Sequence, residues 1–79
     1  MDLDNLARMA NRIGEFFEAF PDRAEAMTGV ADHIGRFWEP RMRRQILAML
    51  DTPAGDALSP LVADALRANR VRLAPKQPA

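Results

Sequence analysis

The densest group of chemically capable side chains is the run RFWEPRMRRQ, residues 36–45. It places Phe37 and Trp38 just before a proline and three arginines, Arg41, Arg43 and Arg44, just after it. Arginine forms forked contacts with phosphates and carboxylates, and tryptophan and arginine are common interface anchors. The run could therefore grip nucleic acid, belong to a catalytic cluster or dock on another protein.

Catalysis is poorly supported by the rest of the chain. The single histidine, His33, borders the apolar stripe of its predicted helix, and its neighbour Asp32 points away, so a general base has no second polar group beside it. Ser59 is explained as a helix cap, no glycine-rich phosphate loop occurs, and no metal-ligand spacing is present. The absence of cysteine excludes disulfides and thiolate-bound zinc or iron–sulfur clusters in this chain. We predict a chain without catalytic residues, cofactor or metal of its own.

Nucleic-acid binding is disfavoured by the charge balance. The formal net charge is zero, with eight acidic and four basic residues over 1–39 and three acidic and seven basic residues over 40–79. The acidic half would repel phosphate. A docking surface for protein is the favoured interpretation of the arginine run, and a small nucleic-acid-binding regulator is the weakest alternative.

The expected location is the cytoplasm. The first residues, MDLDNL, are acidic and lack the apolar stretch of a signal peptide. No apolar run approaches the roughly 20 residues of a membrane span. We therefore expect a cytoplasmic chain that does not enter a membrane.

The spacing of apolar residues predicts an all-α fold, a small antiparallel helical bundle of three helices plus a short fourth helix. A single helical domain is expected over residues 1–69, followed by a flexible basic tail over residues 70–79. The first helix is expected to end at Phe20, before Pro21. The second begins after the N-cap Asp22, the third at Pro40 and the fourth after the N-cap Ser59. Residues 52–57, TPAGDA, are predicted to form a turn.

Two features of the helical wheels bear on an interface. Met9 and Phe16 widen the apolar stripe of the first helix beyond what one neighbouring helix covers, which predicts an exposed docking flank. Arg43 falls inside the apolar arc of the third helix, so its side chain must either extend to water or meet a carboxylate from Glu39 or another chain. Both possibilities stay open.

Gly29 and Gly35 fall on the polar side of the second helix. A glycine in a helix interior costs up to about 1 kcal/mol relative to alanine. The wheel favours positions where that cost is simply borne over positions where another helix approaches closely.

Residues 5–50 resemble the delta subunit of NAD-dependent, molybdenum-containing formate dehydrogenases. The resemblance rests on the opening NL-RMAN-I--FF, the helix start P-R--A, and a histidine followed by FW-PRMR, carried here by His33, Phe37, Trp38, Pro40, Arg41, Met42 and Arg43. The segment LSPLVADAL, residues 58–66, fits the short last helix of that family.

The resemblance implies a non-catalytic accessory subunit of a cytoplasmic enzyme complex. In that family the alpha subunit carries bis-molybdopterin guanine dinucleotide and iron–sulfur clusters, and the beta and gamma subunits pass electrons through FMN and further clusters to NAD. The delta chain is then expected to dock on alpha and to stabilise it or assist insertion of the molybdenum cofactor. The alternative is a transient maturation factor that binds apo-enzyme or the phosphates of the cofactor.

The residues expected to contact the partner combine the FW-PRMR run with the uncovered flank of the first helix. Trp38 is expected to be the apolar anchor, Pro40 to set the helix start, and the arginines to pair with carboxylates of the alpha subunit. The full set is Phe37, Trp38, Pro40, Arg41, Arg43, Arg44, Met9 and Phe16.

Overall fold

The computed structural model describes residues 2–76, and this part of the chain contains helices and no strand. Four helices, α1 to α4, are followed by a single turn, α5, and a short 3-10 helix precedes α4. Their bounds are α1 Leu3–Phe17, α2 Arg23–Phe37, α3 Pro40–Met49, the 3-10 helix Pro53–Ala57, α4 Pro60–Ala68 and α5 Arg70–Leu73. The predicted all-α fold is confirmed.

The helix starts are set by the residues that the sequence indicated. The carboxylate of Asp22 accepts hydrogen bonds from the backbone N–H groups of Ala24 and Glu25, and the hydroxyl of Ser59 accepts one from Val62. Pro40 and Pro60 occupy the first helical positions of α3 and α4, where a missing N–H is not needed. These caps satisfy backbone donors that the first turn of a helix leaves unpaired.

The first helix ends three residues earlier than predicted. It stops at Phe17, and the N–H of Phe20 donates to the carbonyl of Phe17 at 3.0 Å in a turn. A proline restricts only the residue before it, so Pro21 limits how far the helix can run without requiring it to run that far. The early turn places Phe20 beside the end of α1.

The core lies where α2 packs against α1 and α4, with α3 and α5 closing its sides. Within residues 2–76 every buried side chain of the core is hydrophobic, and no charged or polar residue is buried. The largest fully buried side chains are Leu6, Val30, Ile34, Ile46, Leu61, Val62, Leu66 and Leu73.

The presence of Leu73 in that core corrects the predicted start of the tail. Residues 70–73 form α5, and the Leu73 side chain is only 1% exposed. An apolar side chain at that position gains from burial whatever the basic residues around it suggest. The domain therefore extends past residue 69, and the last three residues of the predicted tail, 77–79, lie outside the described residues.

Candidate protein-docking surface

Arg43 is committed to contacts within its own chain. Its Nε donates to the carbonyl of Leu73 at 3.1 Å, and its Nη1 donates to the carbonyl of Trp38 at 2.9 Å. A weaker bond from the same Nη1 reaches the carbonyl of Gly35 at 3.5 Å. The guanidinium thus caps the end of α2 and joins it to α5. Backbone carbonyls take its donors within the described residues, where Arg43 pairs with no carboxylate, and its pairing with a carboxylate of another chain stays a prediction.

Trp38 is likewise turned inward. Its side chain is 6% exposed and belongs to the hydrophobic core, and its N–H closes the last turn of α2 by donating to Ile34. An apolar anchor for a partner must be reachable from solvent, so Trp38 cannot act as one in this conformation. The neighbouring Phe37 is 68% exposed, so Phe37 and not Trp38 is the aromatic side chain of this run that a partner can reach.

Arg41 and Arg44 lie on the exposed side of the first turn of α3. Neither forms an ion pair with any of the described residues. Pro40, at the first position of α3, is exposed as well. Both arginines are thus exposed and unpaired within the described residues, and their contact with a partner stays a prediction.

The uncovered flank of α1 is centred on phenylalanines. Phe16 is 66% exposed and Phe20 is 38% exposed, whereas Met9 is partly buried against the core. The rings of Phe16 and Phe17 meet edge to face with their centroids 4.9 Å apart, and Phe17 and Phe20 are 5.2 Å apart. Phe20 was not among the residues predicted to contact a partner, because the first helix was expected to continue to residue 20. The turn that follows the helix instead brings Phe20 to this cluster.

Gly29 is the position on α2 against which the Phe17 ring rests. A Cβ at residue 29 would lie 2.3 Å from the nearest atom of that ring, too close for any real contact. At Gly35 the nearest atom would be Cδ2 of Leu73 at 3.4 Å, an ordinary contact. Close approach of another helix, which the helical wheel disfavoured, is therefore the correct interpretation for Gly29. Gly35 is better described as an open position on the polar side.

A groove runs along α2 on both sides of this contact. One depression, of about 650 Å³, lies toward the end of α2 beside Arg36 and Phe37. The other, of about 370 Å³, lies toward its start beside Phe20 and Glu25. Both are bordered by Phe17, Gly29 and Asp32. We call the surface lined by Phe17, Phe20, Glu25, Gly29, Asp32, Arg36 and Phe37 the α2 groove.

The charged side chains of the α2 groove differ in sign between the start and the end of α2. Asp32 is paired with Arg72 of α5. Glu25 and Arg36 form no ion pair with any residue of 2–76. The groove thus has an unpaired acid near the start of α2 and an unpaired base near its end.

His33 is exposed, and its ring lies against that of Phe37 with centroids 4.8 Å apart. It borders the exposed phenylalanines and has no hydrogen-bond partner within the described part of the chain.

No group of three or more metal-ligating side chains occurs among residues 2–76. Over the same range, no helix is long and apolar enough to cross a membrane.

A comparison with protein families gives a match over most of the chain. The model described as "NADH-dependant formate dehydrogenase delta subunit FdsD" matches residues 5–66. This range takes in nearly all of α1 to α4 and leaves α5 beyond its end. A search of curated proteins and a search of solved structures each returned no match.

Proposed function

This chain belongs to the family of NADH-dependent formate dehydrogenase delta subunits, and from that premise we propose that it is a non-catalytic accessory subunit that docks on the catalytic alpha subunit. Membership of the family makes it a component of an enzyme complex with other chains. The proposal places bis-molybdopterin guanine dinucleotide, the iron–sulfur clusters and FMN in the alpha, beta and gamma subunits.

The observation that carries the docking proposal is the exposure of Phe16 and Phe37 beside the α2 groove. Both rings are about two-thirds exposed, at 66% and 68%. Exposed large apolar side chains on a small chain mark an interaction surface, and aromatic residues are enriched among interface anchors. We infer that these two rings, with Phe20, contact the alpha subunit, and that Arg41 and Arg44 pair with its carboxylates at the rim.

The proposed role requires only binding to the alpha subunit and no catalytic residue in this chain. A chain that binds only the folded alpha subunit stabilises it by mass action. If the same chain also holds the entrance to the cofactor site open during assembly, its loss lowers the molybdenum content of the enzyme. Stabilisation and cofactor insertion are thus separable by measuring the thermal stability and the molybdenum content of complexes assembled without this chain.

The docking proposal is tested with the double variant Phe16→Ser/Phe37→Ser, co-expressed with an affinity-tagged alpha subunit and the beta and gamma subunits. We expect the variant to be lost from the purified complex, because removing two hot-spot aromatics costs on the order of 4 kcal/mol of binding free energy. The matched control is Leu3→Ser, which removes an apolar side chain that is 40% exposed at the start of α1. Its recovery should equal that of the unchanged chain.

The circular-dichroism spectrum and melting temperature of each variant show that it is folded. Stoichiometric recovery of the folded double variant would refute docking through Phe16 and Phe37. Recovery of the unchanged chain with apo-enzyme alone, and not with active complex, would instead identify the transient maturation factor.

A further inference from the structure

The α2 groove has the length of several helical turns. Its two depressions follow α2 from Glu25 to Phe37, and Phe17, Gly29 and Asp32 border both of them. At 1.5 Å per residue, the 11 steps from Glu25 to Arg36 span about 16 Å. Arg72 and Leu73 of α5 line the depression at the end near Phe37, and Phe20 lines the depression near Glu25. The two depressions together form an elongated surface, and an elongated ligand would cover both.

A helix fits this groove better than an extended segment does. An extended segment that binds as a β-strand adds to the edge of a sheet, where unpaired backbone groups receive its hydrogen bonds. The described residues contain no strand, and the backbone beside the groove is already bonded within helices. A helix needs no backbone partner, and it presents apolar side chains at three- and four-residue steps along one face.

The direction of that helix follows from the charges of the groove. The unpaired acid, Glu25, lies in the first turn of α2, and the unpaired base, Arg36, lies in its last turn. Helices in general favour acidic residues in the first turn and basic residues in the last, because of the macrodipole. A partner helix with this ordinary charge order places its basic end beside Glu25 only when it runs opposite to α2.

We propose that the α2 groove receives an amphipathic helix of the alpha subunit that runs antiparallel to α2, with its acidic first turn at Arg36 and its basic last turn at Glu25. This rests on the proposed function, since it names the element of the alpha subunit that the docking surface binds. The apolar face of that helix covers Phe16, Phe17 and Phe37.

The absence of cysteine from the chain makes the direction measurable. Glu25→Cys and Arg36→Cys are made separately, labelled with a benzophenone maleimide, assembled into the full complex and irradiated. Mass spectrometry then identifies the residues of the partner that each label captures. Arg67→Cys, an exposed position on α4 away from the groove, is the control. Thr28→Cys, exposed and uncharged on the same side as Glu25, replaces Glu25→Cys if loss of that charge prevents assembly.

We expect both groove labels to capture one helical segment of the alpha subunit. The residue captured from position 36 should precede the residue captured from position 25 by about 11 residues in the alpha sequence, since both helices rise 1.5 Å per residue. The control label should not capture that segment.

The other outcomes separate this inference from the proposed function. Capture of one alpha segment in the reverse order, or of two unrelated alpha segments, would overturn the antiparallel helix and leave docking on alpha intact. Adducts between two copies of this chain would show that a second copy fills the groove, since the charge order of α2 also suits its own antiparallel packing. Capture of beta or gamma alone would overturn both proposals. No capture by either groove label would overturn the helix in the groove, while recovery with the tagged alpha subunit would still decide the docking.

Discussion

Gly29 matters through the side chain that it lacks, because the Phe17 ring occupies the space where a Cβ would lie. Three atoms of that ring lie between 2.3 and 2.9 Å from the position of this Cβ. The contact lets α1 and α2 approach each other closely, and its two residues, Phe17 and Gly29, border the α2 groove. A single methyl group at residue 29 would therefore change both the packing of the bundle and the shape of the docking surface.

Gly29→Ala is expected to lower the free energy of unfolding by about 1 kcal/mol. Alanine would gain up to about 1 kcal/mol in helix propensity, but displacing a packed ring costs about 1–3 kcal/mol. The matched control is Gly35→Ala on the same helix, where the new methyl group makes an ordinary contact with Leu73. That control should raise the free energy of unfolding by about 0.5–1 kcal/mol.

Urea denaturation followed by circular dichroism measures both glycine variants. The double variant Phe17→Leu/Gly29→Ala supplies the coupling energy between the two positions, because a smaller side chain leaves room for the methyl group. If Gly29→Ala proved as stable as Gly35→Ala, the close contact with Phe17 would not exist in solution.

At the scale of elements, α5 is a single turn held by contacts from three directions. Leu73 is buried, Arg43 of α3 donates to its carbonyl, and Arg70 and Arg72 pair with Asp51 and Asp32. A helix of four residues has no stability of its own, since nucleation alone is unfavourable. The tertiary contacts therefore decide whether α5 forms, and with it one wall of the α2 groove.

Arg43→Ala is expected to lower the free energy of unfolding by about 1.5–3 kcal/mol, the range for hydrogen bonds to charged groups. The loss leaves carbonyls at the end of α2 without their donor and frees α5 from α3. The adjacent Arg44→Ala is the control and should change the free energy by no more than about 0.5 kcal/mol, since Arg44 is exposed. Chemical denaturation of the isolated chain distinguishes the two, and equal effects would show that Arg43 does not hold α5.

The ion pair between Asp51 and Arg70 predicts a dependence of stability on pH. Two hydrogen bonds, at 2.9 and 3.1 Å, and the charge of the Arg70 guanidinium hold the pKa of the Asp51 carboxyl below its usual value. A carboxyl whose pKa is lower in the folded state stabilises the fold above its unfolded pKa, about 4. That contribution is lost as the pH falls through the folded pKa.

Asp51→Asn is therefore expected to lower the Tm at pH 7, and its difference from the unchanged chain should shrink as the pH falls below about 4. Both residues of the pair are exposed, so the effect is small. The control, Asp56→Asn, removes a carboxylate that has no ion pair within residues 2–76 and should leave the Tm at pH 7 unchanged. A Tm difference for Asp51→Asn that stayed constant down to pH 2 would contradict the role of the ion pair.

At the scale of the whole molecule, the chain is compact but leaves large apolar side chains uncovered. Its Cα radius of gyration is 11.7 Å, close to the roughly 12 Å expected for a folded chain of this length. A core of this size supplies only about 3–5 kcal/mol of net stability. Burial of Phe16, Phe20 and Phe37 by a partner adds apolar area that the chain cannot cover itself. Size and exposure together favour a subunit that is completed by its complex.

The uneven charge of the two halves does not by itself hold the molecule together. Arg72 from the basic half pairs with Asp32 from the acidic half, yet Arg23 and Asp64 pair in the opposite sense. These pairs are exposed and contribute little each. Glu25, Arg36, Arg41 and Arg44 form no ion pair within residues 2–76, and they are the unpaired charges nearest to the proposed docking surface.

The sequence by itself determined the helices α1 to α4, though not the single turn α5. Apolar periodicity, the caps Asp22 and Ser59, and the prolines at positions 40 and 60 act through neighbouring residues, so they predict helices and their starts without tertiary information. The family resemblance, carried by consecutive residues, was also readable at this level and is confirmed by the match over residues 5–66.

Only the tertiary structure decided which members of the FW-PRMR run face a partner. Trp38 and Phe37 are adjacent, as are Arg43 and Arg44, and their types alone do not tell which one turns inward. The choice depends on α5, which returns from 30 residues away to place the Leu73 carbonyl beside Arg43. The Phe17–Gly29 contact is equally nonlocal, since it depends on how α1 crosses α2. Contacts between distant parts of the chain leave no periodic signal in the sequence, and they are what separates the core from the docking surface here.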